Sequence, residues 1–280
     1  MKTNFLKHCL LFTAFFFVTS AYSAETAHFH HVRLNVQDRA ATQEFYQKVF
    51  GAIPINFNDK TPGLFTERSF ILMNQVNTMP KSNLKTSIWH IGWGGIDGPN
   101  EFEWWKNQGV NFYKPLTELG NNHYMYMYGV NREIIEIYTG GKHHRFNHVH
   151  ILATDTNKTT DWLMKALNLP ESANRSLRVG NIITIDNVQI IVYPSSDDRY
   201  RPEEQGDVIE NTDDSGIAHI AFSYREIEAA FKRISELEFE IIEPIKISEL
   251  HGLRSFFARA TDGILVEFVE AKPIPEGIWE

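Results

Sequence analysis

The chain has 280 residues, of which 42% are hydrophobic and 22% charged, and a formal net charge of −8. That length can supply the cores of two ordinary domains. The acidic balance and the lack of any cluster of lysines and arginines argue against nucleic acid as a partner.

The first segment reads as an address rather than as part of the fold. Lys2 and Lys7 precede an apolar run, Leu10–Val18, which is too short to span a bilayer, and the small residues Ala21, Ser23 and Ala24 follow it. This pattern predicts a cleaved secretory leader over residues 1–24 and a periplasmic or secreted mature protein. The single cysteine, Cys9, falls inside that leader. The mature chain is therefore expected to have no disulfides and no thiolate ligands. Nothing after the leader is long and apolar enough to cross a membrane, and loss of the two lysines takes the net charge to −10.

The mature chain opens on a strand, Phe29–Val36, with His31 as its third residue, followed by Asp38 as a helix cap and the apolar stripe Phe45, Tyr46, Val49 and Phe50. A short apolar strand, Phe70–Gln75, closes this unit. A second strand with a histidine, His90, spans Ser87–Trp93. It leads into a helical stretch, Asn100–Gln108, and the strands Tyr124–Tyr128 and Glu133–Tyr138. Gly140-Gly141-Lys142 then marks a boundary. The strand Phe146–Ala153 repeats the opening pattern, with His148 third, Asp155 as a cap, and a stripe of Trp162, Leu163, Ala166 and Leu167. A strand, Val188–Tyr193, precedes a polar insertion over Pro194–Asp214. His219 lies in the fourth such strand, Gly216–Phe222. The helix predicted over Arg225–Glu238 follows, with Ile227, Ala230, Phe231, Ile234 and Leu237 on one face.

The offset between the first and third patterns, from Phe29 to Phe146, is 117 residues, a domain-sized repeat. Each unit reads as strand, helix and three strands. Units start near residues 29, 87, 146 and 215.

Six residues recur in order through this repeat: His31, His90 and Glu136, then His148, His219 and Glu267. Two imidazoles and one carboxylate form a facial metal triad with open positions for substrate or oxygen. Strand alternation puts Arg33 on the face of His31 and His150 on the face of His148. An arginine there would favour an anionic substrate group, and a neutral histidine there could move a proton. His30, His143 and His144 fall outside the pattern and read as surface residues. Such a donor set suits Fe(II), Mn(II), Ni(II) or Zn(II).

The four units resemble the vicinal oxygen chelate superfamily, which includes glyoxalases, fosfomycin- and bleomycin-resistance proteins and extradiol dioxygenases. The resemblance covers nearly all of the mature chain. It implies an α+β fold of four βαβββ units forming two domains, each a curved sheet around a metal site. The domains expected from it are residues 25–141 and 142–272, with a tail over 273–280. The closing turn of the family survives in part as Thr261-Asp262-Gly263 before Glu267. It is lost in Gly129-Val130-Asn131-Arg132 before Glu136, although the glutamate remains.

The family's common step is chelation of two neighbouring substrate oxygens by the metal. The glyoxalase branch adds a glutamate from the last strand of a first unit, and neither Phe70–Gln75 nor Val188–Tyr193 has one. The extradiol dioxygenase branch adds a histidine before the closing strand and a nearby tyrosine. His251 stands close to the first of these places, while Phe257 stands where the tyrosine would be; Tyr126 lies in a comparable region of the first half. Fosfomycin-resistance relatives are usually cytoplasmic single-domain dimers, unlike a secreted two-domain chain. The resemblance therefore implies a metal enzyme, of dioxygenase type with Fe(II) favoured. Its catalytic residues would be His251, His150 and Tyr126, its substrate contacts Arg33 and Tyr138, and its chemistry weighted toward the second half. The substrate would be small with adjacent oxygens, and the protein a monomer or homodimer. A glyoxalase-like lyase or isomerase is the alternative enzyme. A metal-free small-molecule binder, with Trp89, Trp93, Trp104 and Trp105 as walls, is the non-enzymatic one.

Overall fold

The computed structural model of the chain describes residues 25–196, 213–237 and 239–273. The expected leader, most of the polar insertion and most of the tail lie outside the described residues.

Each unit has the expected order. The first is β1 (His28–Val36), α1 (Arg39–Phe50), β2 (Ile53–Phe57), β3 (Thr61–Phe65) and β4 (Phe70–Gln75). The second is β5 (Ile88–Gly94), α2 (Gly98–Asn107), β6 (Phe112–Leu119), β7 (Asn122–Tyr128) and β8 (Ile134–Tyr138). The third is β9 (Phe146–Ala153), α3 (Thr156–Ala166), β10 (Asn174–Ser176), β11 (Asn181–Ile185) and β12 (Val188–Pro194). The fourth is β13 (Ile217–Tyr224), α4 (Ile227–Glu236), β14 (Glu240–Ile247), β15 (Arg254–Arg259) and β16 (Leu265–Glu270).

Local chemistry sets the helix ends. The Asp38 side chain accepts from the Ala41 amide, and Asp155 accepts from the Asn157 and Lys158 amides. Each satisfies amides that have no partner within the helix. Gly51, at φ 66°, ends α1 in the left-handed conformation that glycine adopts without steric cost.

The sheets join units differently from the sequence expectation. One eight-stranded sheet runs β14-β15-β16-β13-β1-β4-β3-β2, and the other β10-β11-β12-β9-β5-β8-β7-β6. Unit 1 therefore shares a sheet with unit 4, and unit 2 with unit 3. The halves 25–141 and 142–272 do not each close a sheet. The cause lies in the opening strands: β1 pairs antiparallel with β13, and β5 with β9.

The two sheets share one core. Phe29 of β1 packs against Phe146 of β9 and Phe222 of β13, each at 5.7 Å between ring centroids, and Trp93 meets Phe146 at 5.4 Å. Asn83, fully buried in the β4–β5 connection, ties the sheets by hydrogen bonds. It donates to the Ile88 and Ile217 carbonyls and accepts from the Ile217 amide at 2.8 Å. Of the four tryptophans considered as binding walls, Trp89, Trp93 and Trp105 are buried and Trp104 is exposed.

Candidate metal centres

Register places the functional side chains in rows, because partners across a sheet point to the same face. In the sheet of units 2 and 3, one row reads Gln189, His148, Gly92, Glu136, Tyr126. The next reads Arg175, Ile182, Ile191, His150, His90. The other sheet repeats the scheme as Phe70, His31, Ala221, Glu267, Phe257, and Leu72, Arg33, His219.

The triads are thus regrouped. His148 joins His90 and Glu136, while His31 joins His219 and Glu267. The sequence expectation exchanged the two opening histidines because it paired consecutive units. Both pairings bring the same residue types together, so the spacings could not separate them.

In the first centre, Glu136 Oε2 lies 2.9 Å from His90 Nε2 and 2.9 Å from His148 Nε2. The ring of His148 occupies the place of a missing side chain: a Cβ on Gly92 would lie 1.9 Å from its Cε1. Asn147 Oδ1 is 2.8 Å from His148 Nδ1 and accepts its proton. In the neutral ring, that turns an unprotonated Nε2 toward the carboxylate. Two acceptors at 2.9 Å then face each other, an arrangement that a bound cation resolves. The separation also fits neighbouring ligands on one ion, which at about 2.1 Å from the metal stand about 3 Å apart.

The second centre is built alike. Glu267 Oε2 is 3.1 Å from His219 Nε2 and 3.3 Å from His31 Nε2. The His31 Nε2 is buried without a hydrogen bond among the described residues. His30, expected at the surface, is 3% exposed. It is the extra residue of a bulge between Phe29 and His31, which turns it inward, where its Nδ1 meets His31 Nδ1 at 2.8 Å. His30 thereby does for His31 what Asn147 does for His148. His143 and His144 are exposed, as expected.

His251 is buried in the β14–β15 turn, and its Nε2 lies 2.9 Å from Glu267 Oε1. The Leu253 amide donates to its Nδ1 at 3.2 Å, so Nε2 carries the proton and gives it to Glu267. Asn58 and Thr61 of unit 1 hold this turn through the His251 and Leu250 carbonyls.

Protonation suits both centres for a cation. Burial lowers the pKa of His31, His90, His150 and His219, so these rings are neutral at pH 7. Burial alone would raise Glu136 and Glu267, but the imidazoles that face them outweigh it and hold both carboxyls well below the usual range. Neutral imidazoles with an ionised carboxylate are the forms that bind metal.

The centres differ in access. Glu136, His148 and His150 line a cavity of about 310 Å³ together with Tyr126, Tyr138 and Gln189. A larger groove, about 410 Å³, lies between Phe50, Ile53, Phe65 and the 142–146 linker and includes no residue of either triad. The four polar groups His31, His219, His251 and Glu267 are all between 0% and 4% exposed. Phe70 and Phe257 stand there in place of Gln189 and Tyr126. Arg33 stands in place of His150; its Nε is buried without a partner among the described residues, and burial pushes its pKa down to about 10.

The expected residues therefore divide between two places. His150, Tyr126 and Tyr138 gather at the open centre, and Arg33 and His251 at the closed one. Sequence reasoning missed Gly92, Asn147, Gln189 and Arg175. The alternation that singled out His150 would have exposed Gln189, which falls beside His148 once β12 is paired with β9.

The family model of the Glyoxalase/Bleomycin resistance protein/Dioxygenase superfamily matches residues 145–268. Residues 145–268 carry the sequence pattern of this superfamily. Its fold is similar to that of glyoxalase I from Zea mays, at 15% identity and a TM-score of 0.65 over 88% of this chain and 92% of that one. A variant of the same maize enzyme matches with 12% identity and a TM-score of 0.67 over the same shares. A candidate dioxygenase from Bacillus subtilis matches with 13% identity and a TM-score of 0.60, over 88% of this chain and 85% of that one. No curated protein matches the chain in sequence. At these identities the superfamily's solved structures bear on fold alone.

Proposed function

We propose that the chain is a metal-dependent oxidoreductase of dioxygenase type, working at His90, Glu136 and His148 on a small substrate with two adjacent oxygens. The observation that carries this reading is the cavity opening onto Glu136 and His148 of that triad, with a neutral histidine and a tyrosine beside them. His90 Nε2, His148 Nε2 and a Glu136 oxygen would hold Fe(II), the favoured ion, or Mn(II), Ni(II) or Zn(II). When bound, the ion supplies Lewis acidity toward the substrate oxygens and, as Fe(II), a centre for dioxygen chemistry.

The chain's own residues do the rest. His150 Nε2 is buried without a hydrogen bond among the described residues and takes the proton of a substrate hydroxyl. Tyr126, beside Glu136 in its row, and Gln189, beside His148, fix the substrate's polar edge. Tyr138, whose hydroxyl accepts from Asn122 Nδ2 at 2.9 Å, forms part of the wall. The apolar side chains of β11 and β12 keep water out. The closed centre would hold a second ion that clamps unit 1 to unit 4, with His251 orienting Glu267. A leader over residues 1–24 would place this activity outside the cytoplasm.

A glyoxalase-like isomerase is the second reading, favoured by the fold shared with the maize enzyme. Gln189 weighs against it, because an amide cannot accept the proton that a glutamate there would take. Metal-free binding of a small molecule is the non-enzymatic reading, against which stand the two complete triads. The test is an oxygen electrode. Fe(II)-loaded protein should consume one dioxygen per catechol, and His90→Ala should not. Loaded protein that takes up no oxygen with a catechol panel, yet isomerises a thiol adduct of a 2-oxoaldehyde, would overturn the proposal.

A further inference from the structure

Arg175 is the only arginine or lysine among the described residues that line the open cavity. It lies on β10, the edge strand, at one end of the row that continues through Ile182, Ile191 and His150 to His90. Three strand spacings, about 14 Å between backbones, separate Arg175 from His150. A long side chain directed along the concave face shortens that gap. Arg175 is exposed and forms no ion pair among the described residues. Between it and the triad the floor is apolar, made by Ile182 and Ile191, with Tyr124, Tyr138 and Tyr193 around it.

We infer that the open cavity is built for an aromatic acid: one ring, two adjacent oxygens directed at the triad, and a carboxylate at the far side against Arg175. This rests on the reading of the triad given above. The cavity's size, near the lower end for ligand pockets, limits the occupant to a small compound of about one ring. Tyrosine edges and isoleucine side chains match an aromatic face. The polar ends of the cavity lie apart, with donors for vicinal oxygens at one and a guanidinium for a planar carboxylate at the other. Arg175 is thus a specificity-determining residue. Because it is the far end of the row that selects, neutral catechols would bind without using it.

The experiment is calorimetric titration of zinc-loaded protein, which is redox-inert, with catechol and with 3,4-dihydroxybenzoate. The wild type is expected to bind the acid about tenfold more tightly than catechol. Arg175→Gln should erase that preference by weakening the acid alone, and Arg175→Lys should restore part of it. Equal binding of both compounds by the wild type overturns the inference. So does a preference that survives in Arg175→Gln, and so does a zinc-loaded wild type that binds neither compound. The same titrations on metal-free protein separate the two readings. If zinc is not taken up but the acid still binds in an Arg175-dependent way, the metal reading fails and this one stands.

Discussion

Gly92→Ala should empty one metal centre while leaving the fold intact. The added Cβ would stand 1.9 Å from His148 Cε1, 2.2 Å from Nε2 and 2.3 Å from Nδ1. Ordinary contact begins at about 3.4 Å, so the ring must retreat by roughly 1.5 Å. Metal–ligand distances tolerate only about 0.2 Å, so a displacement of that size removes the ligand outright. Loss of an outer-shell partner alone weakens binding about 10–100-fold. Loss of His148 should therefore weaken this site at least about 100-fold. All three of these contacts are with the His148 ring, which can swing away without moving the backbone. Replacing glycine inside a strand also recovers about 0.5–1 kcal/mol. The metal-free variant should therefore melt within a few degrees of the wild type. The assay is a competition titration against a coloured chelator, with elemental analysis of the dialysed protein. Ala221 occupies the corresponding position in the other sheet and already carries a Cβ beside His31. Ala221→Gly should therefore leave metal binding nearly unchanged. A Gly92→Ala protein that keeps wild-type affinity at both sites would falsify the steric argument.

Three other outcomes are expected. His150→Gln should lower turnover about 10²–10⁴-fold with metal content unchanged, which steady-state kinetics beside elemental analysis would show; loss of the metal instead would make His150 a ligand. Tyr126→Phe should reduce turnover and keep both the metal and the melting temperature, and equal turnover would remove Tyr126 from the mechanism. Burial pushes the Glu133 carboxyl up to about 7, against hydrogen bonds from Tyr46 and the Asn131 amide. Its folded pKa lies above its unfolded value, so its contribution is full below about pH 4.5 and is lost as pH rises toward 7, an effect of about 3 kcal/mol. Urea denaturation at pH 5 and pH 8 should show that loss in the wild type and a smaller one in Glu133→Gln. Parallel pH profiles for the two proteins would place the carboxyl's titration elsewhere.

Much of the site was legible in the sequence because it recurs. The four opening strands, their histidines and the two closing glutamates are fixed by period and spacing, and all six donors lie in the two centres. The pairing of units was not legible. His31 and His148 occupy equivalent places in equivalent strands, so exchanging them leaves every local pattern satisfied. Only the antiparallel contacts β1–β13 and β5–β9 decide it, and these are long-range. His30 was misread because a bulge, which no alternation rule reveals, reverses its direction. Arg175 was missed because β10 is three residues long and has no apolar period. The preference for the second half as the seat of chemistry followed from the better closing turn before Glu267. The structure puts the open cavity at Glu136 instead, where the turn is poorer but Gln189 and Tyr126 replace two phenylalanines.

Anomalous diffraction from a metal-loaded crystal, recorded at the absorption edge of the bound ion, tests the central claim most directly. A peak bonded by His90 Nε2, His148 Nε2 and Glu136, open toward the cavity that Arg175 lines, is expected. A peak joining His31 to His90, or metal-loaded protein with no density between His90, Glu136 and His148, would contradict it.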